Sequence, residues 1–180
     1  MLIGTSHRAA WQAVARHLIA RGYRRIGFVG ARMDPRMLRM REGCRAALEA
    51  AGLCAGARDI ATEAPSSVTL GRELAAAVLA ADPATDAIFC ANDDLALGVL
   101  FECMARGIAV PGRMEIVAFN DLEMMAAAVP AITSMRIARY RMGFEAIGML
   151  LDRLDGRRPA RLRVDPGFEL IERASMARTP

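Results

Sequence analysis

The side chains best suited to chemistry in this chain directly follow apolar runs. Asn92 and Asp93 follow the run AIFC, and Asn120 and Asp121 follow the run EIVAF. An amide both donates and accepts hydrogen bonds, and a carboxylate accepts them, so these groups can bind hydroxyls. The same residue types are also the usual caps and first-turn residues of helices. Ligand binding and helix capping therefore both remain open for these positions.

The sequence carries no pattern that predicts catalysis. It has no GxSxG, no Walker A motif, and no GxGxxG after an apolar run. Its two histidines and four cysteines form no C-x-x-C pair or other metal-ligand spacing. We therefore expect no enzyme activity, no metal and no cofactor. We expect free, buried thiols at four positions: Cys44, Cys54, Cys90 and Cys103.

Composition narrows the class of protein further. The chain has 180 residues, 54% of them apolar, and a mean hydropathy of +0.22, which predicts one well-filled core. Its net charge is +4, but all 24 basic residues are scattered arginines without interleaved aromatics, which disfavours nucleic-acid binding by this segment. No apolar run approaches a membrane span, and no secretory signal is visible. We expect a cytoplasmic protein without membrane contact.

The elements that must position the polar residues alternate regularly. Apolar runs at 26–29, 87–90 and 115–119, and a weaker one at 59–62, predict strands, with amphipathic helices between them. Asp34 followed by Pro35 predicts the start of a helix. Glycines are expected just beyond four helix ends, at Gly22, Gly52, Gly107 and Gly156. The pattern predicts an α/β fold with a parallel sheet flanked by helices.

The last third of the chain departs from this alternation. A short segment, TSMRI, precedes a long amphipathic helix predicted at 140–154. Two extended pieces follow, at 161–164 and 167–170.

In an open parallel sheet, ligands bind beyond the carboxyl ends of the strands. The polar residues expected there include Arg32 and Asp34 as well as Asn92, Asp93 and Asn120. Such a set suits recognition of a polyhydroxylated small molecule. Binding is favoured over catalysis.

Five ordered blocks resemble the effector-binding core of LacI/GalR transcriptional regulators. They are RHLIARGYRRIGFVGA, RMREGCRAALEAAGL, AIFCANDDLALGVL, GIAVPGRMEIVAFND and PAITSM, and the chain ends in the similar LIERAS. The resemblance covers nearly the whole chain. It implies a type I periplasmic-binding-protein fold, with two Rossmann-like lobes and a sugar or nucleobase in the cleft. It also implies a dimer that binds operator DNA through an N-terminal helix-turn-helix.

The resemblance also sets expectations for domain organisation. Residues 12–132 and 165–175 resemble one complete effector-binding and dimerisation lobe. Residues 133–164 resemble a crossing segment, a helix and a strand of the other lobe, which is largely absent. No helix-turn-helix precedes HLIARGY, so we expect an N-terminally truncated product that binds operator DNA only through the missing domain. The alternative class is a periplasmic-type sugar-binding protein of a transport system.

Carried over residue by residue, the resemblance implies a ligand site. Asn92 matches the Asn of the family's AND motif, with Asp93 beside it, and Asn120 stands where many members carry an Asp. Met40 stands where the family's R-x-x-G motif has its cleft arginine. Arg41, which follows Met40, is the candidate for that role. For Asn92 and Arg41, a helix cap and a helix-surface charge respectively remain the alternatives.

Arg139 is the most informative of these positions. Many sugar-binding members carry an aromatic or polar residue after the crossing segment, whereas this chain has RIARY. An arginine entering the cleft favours a carboxylate partner. FNDLEMM together with RIARY is similar to the gluconate-repressor branch, so we expect a sugar acid such as gluconate. The alternative is that Arg139 caps or solvates the start of helix 140–154.

Overall fold

A six-stranded sheet forms the centre of the protein. The structure is a computed structural model that describes residues 1–158 and 161–176. The strands are β1 (Leu2–Ile3), β2 (Ile26–Ala31), β3 (Asp59–Thr62), β4 (Ala87–Cys90), β5 (Glu115–Asn120), β6 (Thr133–Ile137), β7 (Arg163–Val164) and β8 (Phe168–Ile171). The central sheet has the order β3-β2-β4-β5-β6-β8, in which only the β6–β8 pair is antiparallel. The predicted fold class is confirmed.

Within the described residues, six α-helices connect and cover the strands. They are α1 (His7–Ala20), α2 (Pro35–Ala50), α3 (Val68–Ala81), α4 (Asp93–Ala105), α5 (Glu123–Ala127) and α6 (Arg139–Leu154). Helix α1 packs on α2, and α3 packs on α4, so β2 and β4 are buried along their whole length. The Asp34 side chain caps α2, accepting from two backbone N–H groups, as predicted. The four glycines expected beyond helix ends all have positive φ.

Trp11 of α1 is the centre of the core. Its ring lies 5.3 Å from that of Phe28 in β2, 5.0 Å from Phe89 in β4 and 5.9 Å from Phe119 in β5, centroid to centroid. The Trp11 side chain thus packs α1 against three adjacent strands. The ends of those strands, where the polar residues lie, are positioned on this rigid base.

Strands β1 and β7 and helix α6 form a separate outer layer. The two short strands pair in parallel, and α6 contacts β1. Helix α6 buries none of its residues. Its large apolar side chains are exposed: Tyr140, Phe144, Ile147, Leu150, Leu151 and Leu154.

The expected division at residue 133 needs correction. Thr133–Ile137, assigned above to the other lobe, is strand β6 of the central sheet, because it pairs with β5 on one side and β8 on the other. The expected strand at 161–164 is limited to Arg163–Val164. Residues 159 and 160 of the expected 133–164 unit lie outside the described residues. No helix in the described ranges is long and apolar enough to cross a membrane.

The cysteines divide into two environments. Cys44, Cys90 and Cys103 are buried free thiols, and burial raises the pKa of Cys44 to about 12. Cys54 is exposed, which corrects the expectation that all four are buried. It follows the turn at Gly52 that ends α2, where the chain runs over the surface.

Candidate functional site

The loops after β4 and β5 meet at the carboxyl end of the sheet. Asp93 opens α4, and its Oδ2 accepts a hydrogen bond of 2.9 Å from the backbone N–H of Leu122, in the β5–α5 loop. This bond joins the loop that carries Asn92 to the loop that carries Asn120. The structure therefore brings Asn92, Asp93 and Asn120 to one edge.

Asn92 caps helix α4. Its Oδ1 accepts from the backbone N–H of Leu95 at 3.0 Å, and its Nδ2 donates to the Ser66 hydroxyl at 2.7 Å. The side chain is half-buried and links α4 to the segment that precedes α3. The capping interpretation is thus confirmed. The Asn92 amide can make further hydrogen bonds, so it can cap α4 and still bind another group.

Asp93 is a buried carboxyl group with one unsatisfied oxygen. The residue is 1% exposed, and its Oδ1 has no hydrogen-bond partner among the described residues. Burial raises the pKa of Asp93 to about 6, and the Asp121 charge adds to this rise. The bond from Leu122 and the Arg139 charge act in the opposite direction. Through its bond from Leu122, Asp93 positions the neighbouring loop.

The β5–α5 loop has an unusual backbone held by side chains. Asn120 and Asp121 have φ of 111° and 58°, values that residues other than glycine rarely adopt. Asp121 accepts from Arg136 at 2.7 Å and from Arg173 at 2.6 Å, and its N–H donates to the Ser134 hydroxyl at 3.1 Å. Burial alone would raise the pKa of Asp121, but these two arginines lower it. Such over-determined strained residues cluster at binding sites.

Arg139 reaches the same loop from the start of α6. Its Nη1 donates to the backbone carbonyl of Asn120, and its charge acts on Asp93. Arg139 is exposed at the first position of α6, which also fits the alternative that it solvates the start of this helix. Arg139 and Asn120 are therefore neighbours, and the arginine is exposed beside the amide.

The structure does not bring Arg41 to this edge. The Arg41 Nε donates to Asp59 Oδ1 at 2.6 Å, and Arg45 donates to the other oxygen of the same carboxylate at 2.5 Å. Asp59 begins β3, so the pair lies at the amino end of the parallel sheet. Met40, which replaces the family's arginine, is fully buried. The helix-surface interpretation of Arg41 is the one that fits.

Several residues of the site carry no signal in the local sequence. Ser66, Ser134 and Arg173 hold Asn92 or Asp121 through contacts that span 13 to 52 positions of chain. Ser134 lies in the quoted block PAITSM and Arg173 in LIERAS, but neither block indicates which residue the side chain contacts. Such contacts depend on strand order, which local patterns do not give.

Comparison with known proteins agrees with this architecture. The family described as periplasmic binding protein-like domain matches residues 15–176. The chain is 42% identical over 173 residues to the HTH-type transcriptional regulator GntR of Pseudomonas aeruginosa, covering 96% of this chain and 50% of that protein. The chain spans about half the length of the curated relatives it matches.

Solved structures show the same relationship. The transcription regulator GntR from Chromobacterium violaceum superposes with a TM-score of 0.93 at 42% identity, over 96% of this chain and 64% of that one. A sugar-binding LacI-family regulator from Escherichia coli, complexed with phosphate, gives a TM-score of 0.88 at 28% identity, over 98% and 63%. These relatives are transcription regulators, which disfavours the transport alternative. The chain therefore belongs to the family of periplasmic binding protein-like domains, in the form found in transcriptional regulators of the LacI type.

Proposed function

We propose that this chain binds the effector of a LacI-type transcriptional regulator, and that the effector is a sugar or a sugar acid. The observation that carries the proposal is the meeting of Asn92, Asn120 and Arg139 at the carboxyl edge of the sheet. The two amides suit hydroxyl groups, and the arginine suits a carboxylate. No catalytic group is part of this set.

The comparisons support the same class of ligand. One relative of this fold is described as sugar-binding, and the sequence resembles the gluconate-repressor branch. In a regulator of this kind, ligand binding would alter operator affinity in the full-length protein, in the cytoplasm. Operator DNA would be contacted by the helix-turn-helix of the full-length regulator. Gluconate is accordingly the first ligand to test.

Calorimetric titration of the protein with both lobes restored, with gluconate and with glucose, tests the proposal. Asn120→Gly is the cleanest variant, because glycine adopts a φ of 111° without strain and removes only the amide. Losing hydrogen bonds of this kind should weaken both ligands by roughly fivefold to tenfold. If neither compound binds the wild-type protein with both lobes restored, the proposal fails.

Arg139→Ala distinguishes a sugar acid from a neutral sugar. Loss of a hydrogen bond to the ligand carboxylate should weaken gluconate binding roughly 10- to 150-fold, with much less change in glucose binding. Arg139→Lys should recover only part of the affinity, because an ammonium lacks the planar fork of a guanidinium. Equal losses for both ligands would mean that Arg139 only holds the Asn120 loop, and no loss for gluconate would remove it from the site.

We also propose that two copies of the chain associate through helix α6. Its exposed residues Tyr140, Phe144, Ile147, Leu151 and Leu154 are spaced by four, three, four and three positions, as in a two-helix seam. An apolar stripe of this kind is rarely left in water. Sedimentation at micromolar concentration should show a dimer, and the double variant Phe144→Ser, Leu151→Ser should be monomeric. A monomeric wild-type chain would refute this assembly.

A further inference from the structure

A contact between α1 and the C-terminal segment brings together three side chains of unusual composition. His17 lies about 15 Å along α1 from His7, because the helix rises about 1.5 Å per residue. The His17 Nε2 is 3.3 Å from the Met176 sulfur and 3.3 Å from Glu172 Oε1. An imidazole nitrogen, a thioether sulfur and a carboxylate oxygen thus converge, although His17 and Met176 are 159 positions apart in the chain.

The C-terminal segment is held firmly at this contact. The Ser175 side chain is fully buried, donates to the carbonyl oxygen of Ile116 at 2.8 Å and accepts from the N–H of Thr133 at 2.9 Å. Met176 is partly buried and packs against the hydrophobic core. Ile116 lies near the start of β5, whereas Asn120 ends that strand. The cluster is therefore at the edge of the sheet opposite to the site at the β4 and β5 loops.

The His17 ring is suited to be a ligand near neutral pH. Burial lowers the pKa of His17, which outweighs the rise caused by the Glu172 charge, and the Arg21 charge lowers this pKa as well. A neutral imidazole has one nitrogen without a proton, which is the form that binds a metal ion. The side chains of His17 and Glu172 are 27% and 43% exposed, so an ion can enter from solvent.

Arg21 orients the carboxylate of the cluster. Its Nη2 donates to Glu172 Oε2 at 2.6 Å, and the other oxygen, Oε1, is the one near His17. Hydrogen bonds of this kind orient the ligating carboxylates of metal sites. The Arg21 charge also balances that of Glu172. Because a doubly charged ion is repelled by the guanidinium more strongly than a singly charged one, the cluster favours a monovalent cation.

We propose that His17, Met176 and Glu172 form a binding site for a soft monovalent cation such as Cu(I). Thioether sulfur selects Cu(I), and imidazole is also a ligand for copper. With metal–ligand distances of about 2.0–2.3 Å, the two separations of 3.3 Å correspond to angles of about 100–110° at a shared ion, close to tetrahedral. No three His, Cys, Asp or Glu residues of the described ranges could hold a metal, and here a methionine completes the set. The inference does not depend on the proposed effector site.

Titration with Ag(I), a redox-stable substitute for Cu(I), tests the site by NMR in nitrate buffer. The protein carries Cys54→Ser, because the exposed Cys54 thiol would compete for the ion. Isotope-labelled methyl groups follow each methionine separately. The signals of Met176 and of the His17 ring should shift together and saturate at one equivalent of Ag(I). Met104 is the control, because it is 62% exposed on α4 and should not shift in that range.

Substitutions identify the ligands. Met176→Leu keeps an apolar side chain of similar size and removes the sulfur. Loss of an outer-shell partner alone costs about 10- to 100-fold in metal affinity, so loss of this ligand should weaken Ag(I) binding roughly tenfold or more, measured at the His17 ring. His17→Gln should abolish the Met176 shift. The matched variants His7→Gln and Met104→Leu should leave Ag(I) binding unchanged.

Three results would overturn the proposal. They are equal shifts of Met104 and Met176, a Met176 shift that persists in His17→Gln, and equal Ag(I) affinities with and without Met176→Leu. Zn²⁺ should bind more weakly than Ag(I), because its double charge faces the Arg21 guanidinium. A Zn²⁺ affinity equal to or above that of Ag(I) would refute the assignment of a soft monovalent ion.

Discussion

The helices around the central sheet and helix α6 of the outer layer share a helical spacing of apolar residues, but they differ in how deeply those residues are buried. Helices α1 to α4 each bury at least five residues, whereas α6 buries none, although its apolar residues also recur at helical spacing. The difference lies in what faces each helix, because α1 to α4 pack on a six-stranded sheet and on one another, and the main contact of α6 is with a two-residue strand. Amphipathic spacing determines which face of a helix is apolar. That face is buried only where a second surface packs against it. Matched substitutions in the two regions measure this difference.

The largest difference is expected for aromatic residues. Trp11→Ala removes contacts with three strands and should lower the free energy of unfolding by about 3–5 kcal/mol. In dilute samples, where the chain is monomeric, Tyr140→Ala in the outer layer should change it by less than about 0.5 kcal/mol because Tyr140 is 87% exposed. Urea denaturation followed by circular dichroism measures both. Similar losses for the two variants would show that α6 is packed as firmly as α1.

Glycines inside helices give the next largest difference. Gly98 of α4 faces α3, where an added Cβ would lie 2.2 Å from the Val68 carbonyl oxygen and 2.6 Å from Gly71 Cα. Both neighbours are backbone atoms, so rotation of a side chain cannot relieve the overlap. Gly98→Ala should therefore destabilise the protein by about 1–3 kcal/mol or more. An unchanged urea midpoint would mean that α3 and α4 separate easily.

The pH dependence of stability should differ between a buried carboxyl group near the central sheet and an exposed one in the outer layer. Asp93 has its pKa raised to about 6 in the folded state, so between about pH 4 and 6 the folded protein binds more protons than the unfolded chain. Its contribution to stability is present at low pH and is lost as the pH rises through that window. Asp93→Asn should abolish this fall and raise stability at pH 7 by about 1–2 kcal/mol.

Asp152 of α6 is the matched control for that measurement. It is partly exposed and pairs with Arg157 at 3.1 Å, so Asp152→Asn should change stability by less than about 0.5 kcal/mol at any pH. Urea midpoints at pH 4.5 and 7 decide the matter. A wild-type stability that rises between these values, with no difference in Asp93→Asn, would contradict the role given to Asp93.

The sequence predicted the parts of the fold that depend on neighbouring residues. The runs IGFV, AIFC and EIVAF are β2, β4 and β5, and the caps at Asp34 and Asn92 make the expected bonds. Each follows from apolar spacing or from a side chain bonding two or three residues onward. The place of TSMRI in the central sheet depends on pairing with β8, which begins more than 30 residues later. Local patterns do not carry that information.

The candidate site shows the same limit. Asn92 and Asn120 were found because they follow predicted strand ends, whereas Arg139 came from the resemblance, as a residue after the crossing segment. Arg41 was chosen from its position in the chain beside Met40. On the helix, however, the two side chains differ in their surroundings: Arg39 lies beside the first turn of α1, and Arg41 bonds to Asp59 of β3. A rotation of about 200° separates two residues that are two positions apart.

The smallest expected effect has the opposite sign to that of Gly98→Ala. Gly148 lies within α6, and a Cβ added there would have no atom within 4 Å. Alanine restricts the unfolded chain and favours the helix, so Gly148→Ala should stabilise α6 by about 0.5–1 kcal/mol. Amide hydrogen exchange in α6 is the suitable measurement, because an outer layer can open without global unfolding.

The effect of Gly148→Ala on stability should also depend on protein concentration. In dilute samples, where the chain is monomeric, slower exchange in Gly148→Ala is the expected result. In concentrated samples the proposed α6 pairing would bring a second helix against the groove that Gly148 lines together with Phe144 and Leu151. The added methyl group would then crowd the pair, and the stabilisation should shrink or reverse. Stabilisation that is equal at both concentrations would show that no helix packs on this face, and α6 would remain the exposed counterpart of α4.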